Sequence, residues 1–255
     1  MPYVERVFLV VSDDTQVPHW VNRSSVEVVL HEDIIPHKYL PTFNSNVIEC
    51  YFHNIRNLAE EFVYFNDDFF VMRPTAPDDF FMDGKTRVRM KKSDGTPSNM
   101  FRTFNRNSWE WAMRICGKNN RHPGIWMTPQ HSPAPMLKSV VAEVMSNTDL
   151  QVYLRSASTP VRDYININQY IFTDAAYLAG KTVDRPVDFQ YMQIDRGTLP
   201  KILDAIDNPP AKTICLNDSC SSNDFPSTRK KILEHFAARF TKISKYEINM
   251  HSAGL

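Results

Sequence analysis

Glycine is scarce in this sequence, with seven against seventeen prolines among 255 residues. No GxGxxG or GxxxxGK[ST] segment occurs, which excludes a dinucleotide-binding fingerprint and a Walker P-loop. Cysteine is sparse too. Cys50, Cys116, Cys215 and Cys220 form no CxxC pair, and the last two are not at a usual zinc spacing. They read as reduced and mostly buried. Charge of one sign is not in excess, since Lys+Arg and Asp+Glu both number 29. No global field therefore recruits nucleic acid or anionic lipid, and no nucleic-acid partner is expected. There is no run of about 18 apolar residues. No basic segment followed by an apolar stretch marks the N-terminus. The chain is accordingly expected to be soluble and cytoplasmic.

What is present is an ordinary globular composition, 42% apolar and 23% charged, enough for one large domain or one with an insertion. The most informative stretch is Phe62-Val63-Tyr64-Phe65-Asn66-Asp67-Asp68-Phe69-Phe70-Val71. Burying its aromatic flanks forces Asn66, Asp67 and Asp68 toward the core. A buried carboxylate without a cation, a donor or a metal is costly. A strand ending in acids is a common way to set a divalent metal against a phosphate. The competing reading is that these residues cap a following turn.

Arg6–Ser12, Val26–Leu30 and Phe62–Phe65 read as short buried strands, and Ser45–Ile55 as a helix capped by Asn44 or Ser45. Strand, turn, strand, helix, strand is an α/β pattern with ligands at strand C-terminal ends, where Asp13, Asp33 and Asp67 fall. Residues 72–130 look less regular, with a turn at Asp83-Gly84, a helix over Trp109–Cys116 and a loop over Arg121–Gln130. Helices are predicted over Pro135–Met145, over Ile165–Leu178 with Gly180 closing it, and over Ser227–Phe240. In the last of these, Ile232, Leu233, Phe236 and Phe240 should face inward. Lys212–Leu216 is a late strand that also ends in Asn-Asp, at Asn217-Asp218. If it neighbours the Phe62–Phe65 strand, the two sets of acids converge.

Three further groups could carry chemistry. His131 lies in Gln130-His131-Ser132-Pro133-Ala134-Pro135, where two prolines stiffen the chain just before a predicted helix. An imidazole so held suits a general base on a hydroxyl, or it is an exposed histidine in a turn. Arg155 and Arg162 bracket a Ser/Thr-containing loop and could fork onto phosphate oxygens, or pair with Asp163 on the surface. Arg87, Arg89, Lys91 and Lys92 form a basic run that either meets a polyanion or is a solvated face.

Taken together, these residues resemble the Stealth family of sugar-1-phosphate transferases. The family's second block resembles Val7–Val11, Val17-Pro18-His19-Trp20-Val21-Asn22, His31-Glu32-Asp33-Ile34-Ile35-Pro36, Tyr39–Ser45, Tyr64–Phe70 and Pro77–Phe81. The third resembles His131–Ser139 with Arg162 about thirty residues on, and the fourth Lys212–Asp218. The resemblance implies a single catalytic domain over 1–255: second block in 1–85, an irregular insert in 86–125, a helical third block in 126–185 and the fourth in 210–250. With the α/β pattern it implies a Rossmann-like or GT-A-like three-layer fold. The family's first block, an Asp-x-Val-x-Thr-Trp-Val stretch, has no counterpart in the sequence. The N-terminal strand and part of the nucleotide site are therefore expected to be missing, which leaves turnover by these residues alone open.

The implied reaction moves a sugar-1-phosphate from a nucleotide-sugar donor of the UDP-HexNAc type to a glycan acceptor's hydroxyl, in capsule or exopolysaccharide synthesis. The resemblance makes His131 the base and sets Arg162 on the phosphate. It gives Asp67, Asp68 and Asp218 a Mg²⁺ or Mn²⁺, and donor contacts to Asn66 and Asn217. It lines the pocket with Asn44 and Ser45; Arg155 is carried as a further phosphate contact from its loop. Peripheral association with the inner face of the membrane and a homo-oligomer are compatible with that role. Two other readings remain: a metal-dependent GT-A-type glycosyltransferase, and a catalytically incomplete glycan-binding remnant.

Overall fold

A computed structural model describes residues 1–119, 122, 124–195 and 197–248. The chain opens with a parallel pair, β1 (Phe8–Val11) and β2 (Glu27–Leu30), in register from Phe8↔Glu27 to Val11↔Leu30. The short helix α1 (His31–Ile34) follows at once, and Asp33 Oδ2 accepts from the Leu30 amide at 2.9 Å. Next comes α2 (Ser45–Glu49), capped by Asn44 as expected. It is shorter than the predicted Ser45–Ile55, and Phe52–Asn54 form a 3₁₀ turn instead. Three-residue periodicity lets Phe52 and Ile55 face the same core together, and both are buried.

β3 (Glu61–Tyr64) and β4 (Phe69–Val71) follow, and they belong to different sheets. β5 (Phe81–Met82) and β6 (Lys85–Val88) form a hairpin. Its turn holds Asp83 and Gly84 at φ 52° and 69°, the left-handed pair an Asp-Gly turn supplies. Residues 86–125, expected to be irregular apart from a helix over Trp109–Cys116, carry β7 (Met90–Asp94) and the longer, sixteen-residue helix α3 (Met100–Ile115). β8 (Ile125–Pro129) pairs antiparallel with β7, where a loop was predicted. Residues 121 and 123 of that predicted loop lie outside the described residues.

The predicted helix Pro135–Met145 is divided. β9 (Ala134–Leu137) pairs antiparallel with β3, from Glu61↔Leu137 to Tyr64↔Ala134, and only then does α4 (Lys138–Met145) begin. Pro135 lacks an amide proton and drives Ala134 out of the helical region, so the segment enters as a strand. α5 (Thr148–Ala157) and α6 (Tyr170–Leu178) complete this helical part, with Gly180 at φ 70° just past the second. β10 (Thr182–Asp184) joins β6 in parallel. β11 (Phe189–Ile194), α7 (Leu199–Asp207), β12 (Thr213–Asp218) and α8 (Phe225–Arg239) close the chain. β12 lies between β11, parallel, and β4, antiparallel.

The fold is thus mixed α/β, built on small sheets. Its larger core joins α2, β9, α4, α5 and α6 through residues such as Val47, Val141, Val144, Leu150 and Ile171. A smaller core under β12 gathers Met72, Ile202, Ile206, Ile214 and Leu216. Ile232 and Phe236 of α8 pack on it as predicted. Leu233 and Phe240 do not, being 48% and 51% exposed, because α8 lies on the small core along one narrow stripe. Among the described residues no helix is long and apolar enough to cross a membrane.

Candidate functional site

The site grows from the junction between β3 and β4. The chain leaves one sheet at Tyr64 and enters the next at Phe69, so Phe65–Asp68 bridge the two. The strand that neighbours β12 is therefore β4, not the predicted Phe62–Phe65 strand. What the start of β4 brings to β12 is Asp68. The Leu216 amide donates to the Asp68 carbonyl at 2.9 Å, extending the antiparallel pairing beyond Cys215↔Phe69. Before Asp68 the chain turns, with the Phe69 amide donating to the Asn66 carbonyl at 3.2 Å, so the pairing stops there while β12 runs on through Asn217 and Asp218.

The acids in this junction are not equivalent. Asp67 is exposed, while Asn66 and Asp68 are half-buried. Asp68 Oδ2 accepts from the Cys215 thiol at 3.1 Å. Its Oδ1 is buried with no hydrogen-bond partner among the described residues. Burial, with Asp68 beside it, pushes the Cys215 thiol far above its ordinary value, so the thiol stays protonated and donates. Asn217 is half-buried and Asp218 exposed, and Asp218 Oδ1 accepts from the Cys220 amide at 2.8 Å. Asp68 and Asp218 thus have separate partners, Cys215 and Cys220, and Asp67 faces solvent. Among the described residues no three His, Cys, Asp or Glu side chains are grouped to hold a metal ion.

His131 sits between β8 and β9, ahead of a strand and not of a helix. Its Nδ1 lies 3.0 Å from the Tyr170 hydroxyl. Aromatic rings surround it: Phe69, Phe101 and Tyr191 have centroids 5.4, 5.7 and 5.9 Å from the imidazole. Burial among these rings lowers the His131 pKa below 6.5, and the nearby Asp68 charge partly opposes the shift. The imidazole is therefore neutral at neutral pH.

A third arm reaches the same place from α2. Glu49 is 6% exposed; its Oε1 accepts from the Tyr64 hydroxyl and its Oε2 from the Gln169 amide, both at 3.1 Å. Burial raises its pKa to about 7, against those two hydrogen bonds and the Arg162 charge, which lower it. The field of Glu49 also helps hold Tyr170 protonated, after burial itself. Arg162 is exposed and donates from Nη2 to Ser45 Oγ at 2.8 Å, not to Asp163. A continuous set of neighbours thus runs His131, Tyr170, Glu49, Arg162 and Ser45, with Tyr64 and Asp68 on its flank.

Asn44 is fully buried and spent on structure. Its Oδ1 caps α2 at Asn46, and its Nδ2 donates to the Thr159 and Val161 carbonyls and to Asn166 Oδ1. It clamps the loop that carries Arg162. Arg155 stands exposed in the last turn of α5, outside this set. In the basic run, Arg87 is tied to the Asp78 and Pro186 carbonyls and Arg89 to Asp184 at 2.7 Å, while Lys91 and Lys92 are exposed. That run is a solvated, structurally engaged face.

Sequence reasoning passed over Glu49, Tyr64, Tyr170 and Cys215. Glu49 carried one signal, a lone acid in the apolar run Val47-Ile48-Glu49-Cys50-Tyr51. The two tyrosines and the cysteine gave none, since each reads as core.

The fold and site define a mixed α/β protein in which His131 lies by Asp68 at a sheet junction, with Glu49 near Tyr170 and Arg162 near Glu49. Residues 1–89 match the family model for Stealth protein CR2, conserved region 2, so the resemblance to the Stealth family is shown over that span. It is 32% identical over 88% of its length to the capsular polysaccharide phosphotransferase fcs1 of Haemophilus influenzae, covering 64% of that protein. It is 28% identical over 91% of its length to the capsular polysaccharide phosphotransferase LcbA of Neisseria meningitidis, covering 66% of it. The exopolysaccharide phosphotransferase cps2G of Lactiplantibacillus plantarum is 28% identical over 96% of this chain and is covered over 81% of its own length. The chain thus spans just under two thirds of the first two relatives.

Proposed function

We infer that this chain transfers a sugar-1-phosphate from a nucleotide-sugar of the UDP-HexNAc type to a hydroxyl of a glycan acceptor, in capsule or exopolysaccharide synthesis. Similarity to phosphotransferases across most of the chain supports the reaction class. The observation that carries the reading is the half-buried, neutral imidazole beside Asp68, bonded to Tyr170, with Glu49 and Arg162 next in the same run of neighbours.

With its Nδ1 proton donated to the Tyr170 oxygen, His131 keeps a lone pair on Nε2 for the acceptor's hydroxyl proton. The acceptor oxygen then bonds to the β-phosphorus, and the bond from that phosphorus to the bridging oxygen breaks. The nucleoside monophosphate leaves and a sugar–phosphate–sugar diester remains. Arg162, braced by Ser45, neutralises the phosphoryl oxygens. Such transfer depends on positioning and charge stabilisation more than on covalent chemistry by the protein.

Asp68 is suited to a divalent cation, because its Oδ1 is buried without a partner among the described residues. Mg²⁺ commonly takes one or two carboxylates and completes its shell with water and phosphate, so the lack of a three-ligand cage does not conflict with it. Asp68, with Asp67 beside it, would hold the ion, which supplies charge neutralisation on the diphosphate. In this reading Asn66, in the turn before β4, and Asn217, near the end of β12, meet the donor. A GT-A-like three-layer arrangement and work at the inner face of the membrane are parts of this reading.

The test is donor labelled with ³²P in the β-phosphate. The diester product should carry the label, and loss of turnover on chelation should accompany it. A product without label would identify a glycosyltransferase and overturn the inference.

A further inference from the structure

Four aromatic rings surround His131, and they divide into two kinds. Phe69 and Tyr170 are 9% and 2% exposed and belong to the interior. Phe101 and Tyr191 are 45% and 42% exposed, although both rings meet the imidazole edge-on. Exposed aromatic surface next to a reactive group is the composition of a ligand wall. Neither residue lies in residues 1–89, which match the family model, and neither belongs to the blocks on which the resemblance rests.

Both rings are firmly placed. Phe101 sits in the first turn of α3, which Asn99 caps by accepting from the Arg102 amide at 2.9 Å. Its ring also meets Tyr170, centroid to centroid at 6.0 Å. Tyr191 lies in β11 directly across from Cys215, the residue whose thiol holds Asp68. The two rings thus approach the imidazole from a helix and from a sheet that are far apart in sequence.

We propose that Phe101 and Tyr191 form the acceptor platform, against which the apolar C–H face of the acceptor pyranose lies while its hydroxyl meets His131. The proposal rests on the reading of His131 as the base. A hydroxyl must come within about 3 Å of the imidazole nitrogen to lose its proton, and a sugar ring attached to it then falls on whatever borders that imidazole. Asp68 and Arg162 carry the charge that suits the donor's phosphates. The uncharged aromatic pair suits a saccharide.

The experiment varies donor and acceptor separately in Phe101→Ala and Tyr191→Ala, with Phe101→Tyr and Tyr191→Phe as conservative partners. Each alanine variant should raise the acceptor KM about tenfold and leave the donor KM within about twofold; the conservative variants should restore it. Folding is checked by circular dichroism. Folded alanine variants with an unchanged acceptor KM overturn the platform. A rise in donor KM instead assigns the rings to the donor's base and overturns it too.

Saturation-transfer NMR with hexose and N-acetylhexosamine oligosaccharides separates this proposal from the transfer reading beneath it. Binding to the wild type that both alanine variants lose supports the platform even if no phosphate is transferred. Absent turnover with such binding overturns only the transfer reading. No binding to the wild type, or equal binding in the variants, overturns the platform.

Discussion

Asn66-Asp67-Asp68 and Asn217-Asp218 look alike in sequence, one just before β4 and the other at the end of its neighbour β12, yet their surroundings differ. Asp68 is held by the Cys215 thiol on one oxygen and buried without a partner among the described residues on the other. Asp218 is exposed and occupied with the Cys220 amide in a local turn. An Asn-Asp pair at a strand end therefore acquires chemistry only when packing strips water from it. The charge of Asp68 acts on His131, Tyr64, Tyr191 and Cys215. The exposed carboxylate of Asp218 is screened by solvent and acts locally.

That contrast is open to direct attack. The largest effects should fall on turnover. Asp68→Asn should lower kcat by about 10²–10³, whereas Asp218→Asn should cost less than about tenfold; equal losses would break the comparison. His131→Ala belongs with Asp68, at about 10²–10⁴ in kcat, with far-UV circular dichroism unchanged because the residue lies in a link between strands. Wild-type turnover in that variant would remove the base from the mechanism.

A smaller effect concerns stability and pH. Burial raises the Glu49 pKa from 4.5 to about 7, so between those values the folded state keeps a proton that the unfolded state has released. Its protonated form is fully accommodated below pH 4.5, and stability is lost as the pH rises through 7. Glu49→Gln removes this titration. Relative to wild type the variant should gain about 3 kcal/mol between pH 4.5 and pH 8, measured by urea unfolding at each pH. A difference that stays flat with pH would show Glu49 to be solvated.

Asn44→Ala should cost about 2 kcal/mol, through the lost cap on α2 and the released clamp on the Arg162 loop. Thermal melting measures the loss. If the clamp matters to the site, turnover in this variant should fall by more than the melt explains at the assay temperature. The smallest effect is a titration. The His131 pKa, already below 6.5, should drop further in Asp68→Asn, because the carboxylate favours the imidazolium. It should not move in Asp218→Asn. Proton NMR of the imidazole reads both.

Much of this was legible in the residues themselves. The Asn44 cap, the Asp83-Gly84 turn and the Gly180 terminus are local chemistry, and each appears where the sequence predicted it. The helix predicted over Pro135–Met145 holds from Lys138 onward, while Pro135–Leu137 form a strand because pairing with β3 outweighed their apolar periodicity. Glu49 was missed because a single acid in a short helix carries no pattern. Phe101 and Tyr191 were missed because an aromatic residue announces burial, and only contact with His131 gives its exposure a meaning.

The sequence by itself determined the α/β class, the order of the blocks that resemble the Stealth family, and the residue types available for phosphate chemistry. These depend on spacing and local backbone preference, which a single chain carries in order. The tertiary structure decided which acid is buried, that Glu49 titrates near 7, and that rings from α3 and β11 enclose His131. Those are matters of solvent exclusion and of pairing across more than a hundred residues, as when Asp68 meets Cys215. Dielectric and desolvation follow from what the fold packs together, so no local stretch of sequence can set them.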